Sequence, residues 1–365
     1  AALLLAAAAQ PLWRKWRAPT AFREVLPVPR LSASSPDAVE RFFRLYHGRQ
    51  PVLIEGALAA WPAMNWSASS LATACPSAQM AVYEYDLQAN DWAALKDAGM
   101  LLLGEYLSEE FGRRGAAPRK PRYGLEMSLR NECPRLLHDV RIPAFFSDDL
   151  LVRYYKRGAW PTLIAGPRGT RSGLHRDTYD LPFWMALFAG RKRWRIFAPE
   201  EPALEPFFLE ERNGFAFDPF EPDFVGSPGL AAASVYEHVL EAGQLLYIPN
   251  GAAHAAYNLE DTIAISGNYL DPPSLDRHRQ VTCNRSLWRE NHLCWFYDRD
   301  FAGHAPVPPE RLRELSYFEF AGFPGPAGWC ADFVPFLRDI SARRALRYLP
   351  TVEQYCSQWT DQPEA

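Results

Sequence analysis

The chain lacks the motifs of the commonest ligand-binding folds. It has no GxGxxG turn and no GxxxxGKS loop, and strands do not alternate with helices, so a Rossmann fold is disfavoured. Its six cysteines (Cys75, Cys133, Cys283, Cys294, Cys330 and Cys356) form no CxxC pair, which argues against a zinc ribbon or a redox motif. Their even number permits disulfides, but a chain of 365 residues does not need them to hold a core, and reduced thiols in an intracellular protein are the expectation. No apolar run reaches transmembrane length, and the AALLLAAAA stretch at 1–9 is too short to span a bilayer. There is no basic excess: 39 Lys and Arg face 43 Asp and Glu, for a net charge of −4. That balance argues against a protein built to coat nucleic acid. No internal repeat occurs, and no low-complexity segment beyond the N-terminal tail.

That tail carries Arg14, Lys15, Arg17 and Arg23 before the first acid, Glu24. Arg-rich and acid-poor composition fits an organelle transit segment, mitochondrial or other, while a disordered or docking tail is the alternative. Hydrophobic residues make up 48% of the chain, and 12 Trp, 16 Tyr and 22 Phe supply a core. The 32 prolines favour many short elements over long helices.

After the tail (1–30), an N-terminal α/β extension is expected over 31–121. It holds a helix capped by Ser35, strands at 51–55 and 79–86, and a helical period over 98–113. From 122 to 272 the chain is β-rich, with strands expected at 122–129, 161–167, 171–177, 183–189, 192–198, 234–240, 244–248, 254–258 and 262–269. Gly and Pro signals separate them, the pattern of a sandwich or barrel. A helical region follows over 273–365, clearest at 276–296 and 331–349. The fold class is therefore mainly β with helical extensions.

The candidate chemistry begins at Ser172-Gly173-Leu174-His175-Arg176-Asp177. In a strand, His175 and Asp177 project to one face. HxD alone is a weak signal, since a His beside a carboxylate is usually just hydrogen-bonded. His254 adds a third donor where a buried strand ends in the Pro249-Asn250-Gly251 turn. Two His and one carboxylate are the ligand set of non-haem Fe(II) oxygenases, and zinc takes the same three with water. A satisfied core histidine is the bland alternative. In the strand at 192–198, Lys192 shares a face with Trp194 and Ile196, so it points inward and needs an anionic partner there. An ordinary snorkelling lysine is the competing reading.

Taken together, residues 123–269 resemble the JmjC-domain family of iron- and 2-oxoglutarate-dependent oxygenases. They look closest to the phosphatidylserine-receptor-like arginine demethylase/lysyl hydroxylase subgroup. The likeness lies in IPAFFSDDL at 142–150, the Gly166-Pro167 approach to His175, GRKRW at 190–194 and NLEDTIAISGNY at 258–269. It implies a double-stranded β-helix (a jelly-roll, cupin-like barrel) with Fe(II) held by His175, Asp177 and His254. It also implies that Lys192 and Ser266 hold 2-oxoglutarate, with Tyr123, Ser172 and Asn268 lining the pocket. One departure is Met185, which stands where family members often carry an Asn; a thioether donates no hydrogen bond.

The implied activity is hydroxylation of a protein side chain, or demethylation of an N-methyl group, and the implied compartment is nucleus or cytoplasm. The partner is a protein substrate or a larger assembly. The rival readings are a non-catalytic scaffold subunit, to which Met185 lends weight, and a cupin-like zinc or small-molecule binder. The Phe-rich insertion at 200–235 either borders the pocket mouth or packs on the barrel.

Overall fold

The computed structural model describes residues 19–112, 120–155, 160–284, 307–308, 311, 315–342 and 345–359. In chain order its strands are β1 (Glu24–Pro27), β2 (Arg30–Ser32), β3 (Val52–Glu55), β4 (Gln79–Tyr85), β5 (Leu95–Leu102), β6 (Tyr123–Ser128), β7 (Thr162–Gly166), β8 (Phe183–Ala189), β9 (Arg191–Phe197), β10 (Phe208–Leu209), β11 (Gly214–Phe215), β12 (Ser234–Glu241), β13 (Leu245–Ile248), β14 (His254–Asn258) and β15 (Thr262–Asn268). The helices are α1 (Ala38–Leu45), α2 (Ala68–Ala74), α3 (Leu103–Glu110), α4 (Leu129–Glu132), α5 (Leu275–Asn284), α6 (Tyr317–Phe320), α7 (Gly325–Ser341) and α8 (Leu349–Cys356).

Two sheets face each other as a jelly-roll. The larger runs β2-β3-β13-β8-β15-β7-β6-β4-β5, and the smaller β1-β12-β9-β14. The period-2 pattern of the strands decides which side chains go where. In β8, Met185 and Leu187 join the cluster between the sheets, while Trp184, Ala186 and Phe188 pack on the outer face. In β15, Ala264 points in, and Ile263 and Ile265 point out. The outer face of the large sheet is then covered by α1, the 134–146 segment and the C-terminal helices, through Phe42, Phe146, Phe318 and Trp329. Each such side chain, fully removed from water, contributes about 1.5–3 kcal/mol.

The outer face of the small sheet is covered by the 200–235 insertion. Phe215 and Phe217 are buried there against Phe197, Val235 and Ala255, with Phe207, Phe208, Phe220 and Phe224 packed around them. Its phenylalanines therefore pack on the barrel, while Glu210 and Asn213 of the same insertion border the cavity beside Asp177; both alternatives above hold, each for different residues.

Several local expectations are corrected. Ser35 is not the cap of α1: Asp37 occupies that position without a side-chain bond. The 98–113 stretch begins as strand, because β5 pairs with β4 through Leu102 before α3 starts at Leu103. Residues 171–177 form no strand; only isolated bridges tie Arg171 to Tyr257 and His175 to His254 and Gly214. The 331–349 helix is shifted and broken, into α7 and α8. Of the 276–296 helix, α5 covers 275–284, and the rest lies outside the described residues, as do residues 1–18 of the tail.

The cysteines are corrected as well. Cys75 is bonded to Cys133 and Cys330 to Cys356, and none of the described cysteines is free. Spacing hid the pairing because it depends on packing. Cys75 ends α2 and Cys133 ends α4, elements 58 residues apart that the fold brings to a Cα separation of 5.7 Å.

Candidate metal centre

His175 and His254 are positioned by the same local device. His175 Nδ1 lies 2.8 Å from the Gly173 carbonyl, and His254 Nδ1 lies 3.0 Å from the Ala252 carbonyl. Each carbonyl can only accept, so each Nδ1 carries a proton, and Nε2 is the ring atom that offers a lone pair when the imidazole is neutral. The two backbones are bridged to each other: His175 N donates to the His254 carbonyl at 3.1 Å, and His254 N donates back at 2.9 Å.

Both Nε2 atoms converge on Asp177 Oδ1, at 3.8 Å from His175 and 3.7 Å from His254. Those distances are too long for hydrogen bonds. All three donor atoms lie within 4.8 Å of one another, which is the spread of ligands that share one ion at about 2.0–2.2 Å. The other Asp177 oxygen accepts from Asn268 Nδ2 at 2.8 Å, which turns Oδ1 toward the histidines. Burial, and then the neighbouring His254, hold the His175 imidazole well below its usual pKa. Burial raises the Asp177 carboxyl above the ordinary range, with His254 and Asn268 opposing the shift. Two imidazole Nε2 atoms and a buried carboxylate oxygen, converging at more than hydrogen-bond distance, form a set that a divalent cation completes.

Further into the barrel, Lys192 is fully buried and donates from Nζ to the Tyr123 hydroxyl at 2.6 Å. Burial pushes its pKa down to about 7, and no carboxylate among the described residues offsets that cost. Trp194 is near both groups, its ring 5.9 Å from Lys192 Nζ and 6.0 Å from the His254 ring.

Around this interior, Ser266 Oγ lies 3.2 Å from Thr162 Oγ1. Met185 is buried opposite Ser266 in the β8·β15 register. Ser172 Oγ instead accepts from the backbone N–H of Ala256 at 3.1 Å, pinning the approach to His175 onto β14. The structure thus gathers His175, Asp177, His254 and Asn268 at one point, gathers Tyr123 and Lys192 at a second, and ties Ser172 to the backbone.

Three contributors were not anticipated. Trp92 meets His175 edge-on, with ring centroids 4.4 Å apart. Asn213, left-handed at φ 49, donates from Nδ2 to the carbonyls of Arg176 (2.8 Å) and Asp177 (3.2 Å). Its signal was the Asn213-Gly214 pair, a turn dipeptide inside the insertion. Asn258 is fully buried behind Tyr123, donating to Thr170 Oγ1 at 2.8 Å and accepting from Thr262 Oγ1 at 2.9 Å. Gly166 makes room for it, since a Cβ there would come within 2.2 Å of Asn258 Nδ2. Outside the three ligands a cavity of about 420 Å³ opens to solvent, bordered by Trp92, Asp177, Tyr179, Glu210, Asn213 and Arg277.

Comparison with known proteins agrees with this architecture. The model of the cupin-like domain family matches residues 38–274. The 2-oxoglutarate and iron-dependent oxygenase JMJD4 of Danio rerio is 26% identical over 273 residues, covering 69% of this chain and 60% of that protein. Its Homo sapiens counterpart is 28% identical over 270 residues, covering 68% and 60%. The arginine-specific demethylase JMJ22 of Arabidopsis thaliana is 26% identical over 232 residues, covering 62% and 43%. The chain thus spans 60% or less of the length of these relatives. The family match, the two-sheet barrel and these relatives lead to one conclusion: the chain belongs to the cupin-like domain family, in its JmjC group.

Proposed function

We propose that this chain is an Fe(II)- and 2-oxoglutarate-dependent oxygenase that hydroxylates a protein side chain, with demethylation of an N-methyl group as the variant of the same chemistry. One observation carries the reading. A three-donor metal set and an un-neutralised buried lysine lie in one barrel interior, with the Trp194 ring 6.0 Å from the His254 ring and 5.9 Å from Lys192 Nζ. A divalent cation completes the first, and a dianionic cosubstrate completes the second. The names of the relatives, iron- and 2-oxoglutarate-dependent oxygenase and arginine-specific demethylase, support it.

In this reading His175, Asp177 and His254 hold the iron, and Asn268 and Asn213 hold Asp177 in place. Lys192 and the Tyr123 hydroxyl bind the distal carboxylate of 2-oxoglutarate, and Asn258 supports Tyr123 from behind. When bound, iron and 2-oxoglutarate supply the oxidation of a substrate C–H bond by dioxygen, with succinate and carbon dioxide as coproducts. Apolar walls, among them Met185, Ile164, Leu187 and Ala264, exclude water from the cosubstrate end. The acceptor enters through the cavity beside Trp92 and Asn213.

The test is coupled turnover. The chain is supplied with Fe(II), 2-oxoglutarate and a panel of unmodified and methylated peptides, and succinate is measured alongside peptide mass. A gain of one oxygen supports hydroxylation and loss of a methyl group supports demethylation, with both abolished in Asp177→Ala. Succinate formation that persists in Asp177→Ala contradicts the assignment of that ligand.

A further inference from the structure

Beside the metal set, the backbone enters a conformation that side chains rarely adopt. Tyr179 (φ 63) and Asp180 (φ 56) are consecutive left-handed residues beginning two positions after Asp177, and Glu200 (φ 59), shortly after β9, is a third. None is glycine, so each must be held by its surroundings. The holding group is the same for two of them. Arg277 of α5 donates from Nε to Asp180 Oδ2 at 2.7 Å and from Nη1 to Glu200 Oε1 at 3.0 Å. The next residue, His278, lies with Nδ1 3.2 Å from the carbonyl of Tyr179.

The third approach to the site meets the same point. Asn250 donates to Asp180 Oδ2 at 3.5 Å. A Cβ on Gly251 would come within 2.9 Å of Asp180 Oδ1 and 3.1 Å of Arg277 Nη2, so the turn that leads to His254 is packed directly on the ion pair. One guanidinium therefore touches the segment after Asp177, the turn before His254 and the segment after the strand that carries Lys192. Two of these are arms of the metal set, and neither arm is a continuous strand up to its ligand.

We infer that Arg277, a residue outside the barrel, is a positioning residue for the metal centre: through Asp180 and Glu200 it sets the spacing of Asp177 and His254. This rests on the metal reading above. It makes the geometry of the ligands depend on α5, the first helix after the barrel. An ordinary surface ion pair would leave the ligands indifferent to its loss. Groups bonded directly to metal ligands change metal affinity by about 10–100-fold when removed, and Arg277, one step further out through Asp180, is expected at the lower end of that range.

The test uses the full chain with Co(II) alone, titrated while its visible ligand-field bands are followed. Near-UV circular dichroism confirms folding. Arg277→Ala is expected to weaken Co(II) binding about tenfold and to shift the bands, and Arg277→Lys to recover part of both. Glu200→Gln removes one exposed arm without touching the ligand loop, and is expected to give a smaller change in the same direction. Arg338→Ala, which breaks the exposed pair with Glu353 on α7 and α8, is expected to change neither affinity nor bands. A folded Arg277→Ala with wild-type affinity and bands overturns the inference alone. If Arg277→Ala does not fold, an unchanged Glu200→Gln overturns it. Failure of the wild-type chain to bind Co(II) overturns the metal centre and this inference with it.

Discussion

Lys192 is the residue on which the cosubstrate reading turns, and its burial has a measurable cost. An amino group bonded to a phenol and flanked by the Trp194 ring, with no carboxylate among the described residues to pair with it, is held in the barrel against desolvation. Lys192→Met is therefore expected to stabilise the ligand-free chain by about 1–3 kcal/mol near pH 7 while abolishing 2-oxoglutarate binding. The sign of the pH dependence follows from linkage. The lysine pKa is depressed from 10.5 to about 7 in the folded chain, so between those values the unfolded chain binds the extra proton. Wild-type stability then rises with pH relative to the variant. The advantage of Lys192→Met should be full at pH 7 and below, and should shrink toward zero near pH 10.5. Paired urea melts across that range check it, and a constant difference contradicts the buried, depressed lysine.

At the same scale, the inward face of Lys192, Trp194 and Ile196 was legible from period-2 spacing alone, because β9 is a regular strand. Asn213 and Trp92 were not legible, because their reach to the ligands depends on turns distant in sequence.

Among the elements, regular strands were readable and the connections between them were not. Strands β6 through β9 and β12 through β15 fall close to the expected boundaries, since alternation and Gly/Pro punctuation report directly on a two-faced sheet. The 171–177 segment misled because the spacing of His175 and Asp177 is that of two side chains on one strand face, yet only isolated bridges tie the segment to β14 and β11. His175 and Asp177 come together through a carbonyl bond to Gly173 and a cap by Asn268 rather than by the pleat of a strand.

The end of β7 allows a prediction at this scale. Gly166→Ala drives a methyl group into Asn258, whose buried amide must give up its bond to Thr170 or to Thr262. A loss of about 2–3 kcal/mol is expected from overpacking and a broken buried bond, read as a lowered urea midpoint. Asn258→Ala in the same background should cost little more, since the two changes remove the same contacts; strict additivity would contradict the shared mechanism.

For the whole molecule, the family match over residues 38–274 runs from α1 to the start of α5 and includes the N-terminal elements that flank the barrel. The barrel itself was expected from β-rich composition and turn spacing. The disulfides were not, because cysteine spacing carries no information on which helices pack together. Cys330–Cys356 joins α7 to α8 across 26 residues of sequence. Replacing both with Ser is expected to lower stability by about 2–4 kcal/mol through the freer unfolded chain. Metal binding should be unchanged, because neither helix contributes to the site. A melt with and without reductant checks the first part, and Co(II) titration of the variant checks the second. Among the described residues no helix is long and apolar enough to cross a membrane.

The most direct test of the account is an anaerobic titration of the purified chain with Fe(II) and 2-oxoglutarate, following the visible charge-transfer band of a chelated cosubstrate. The account predicts a band that requires both additions, disappears in His175→Ala, and is lost in Lys192→Met although that variant still binds iron. Iron bound without any response to 2-oxoglutarate would contradict it, and would direct attention to Met185 at the cosubstrate end.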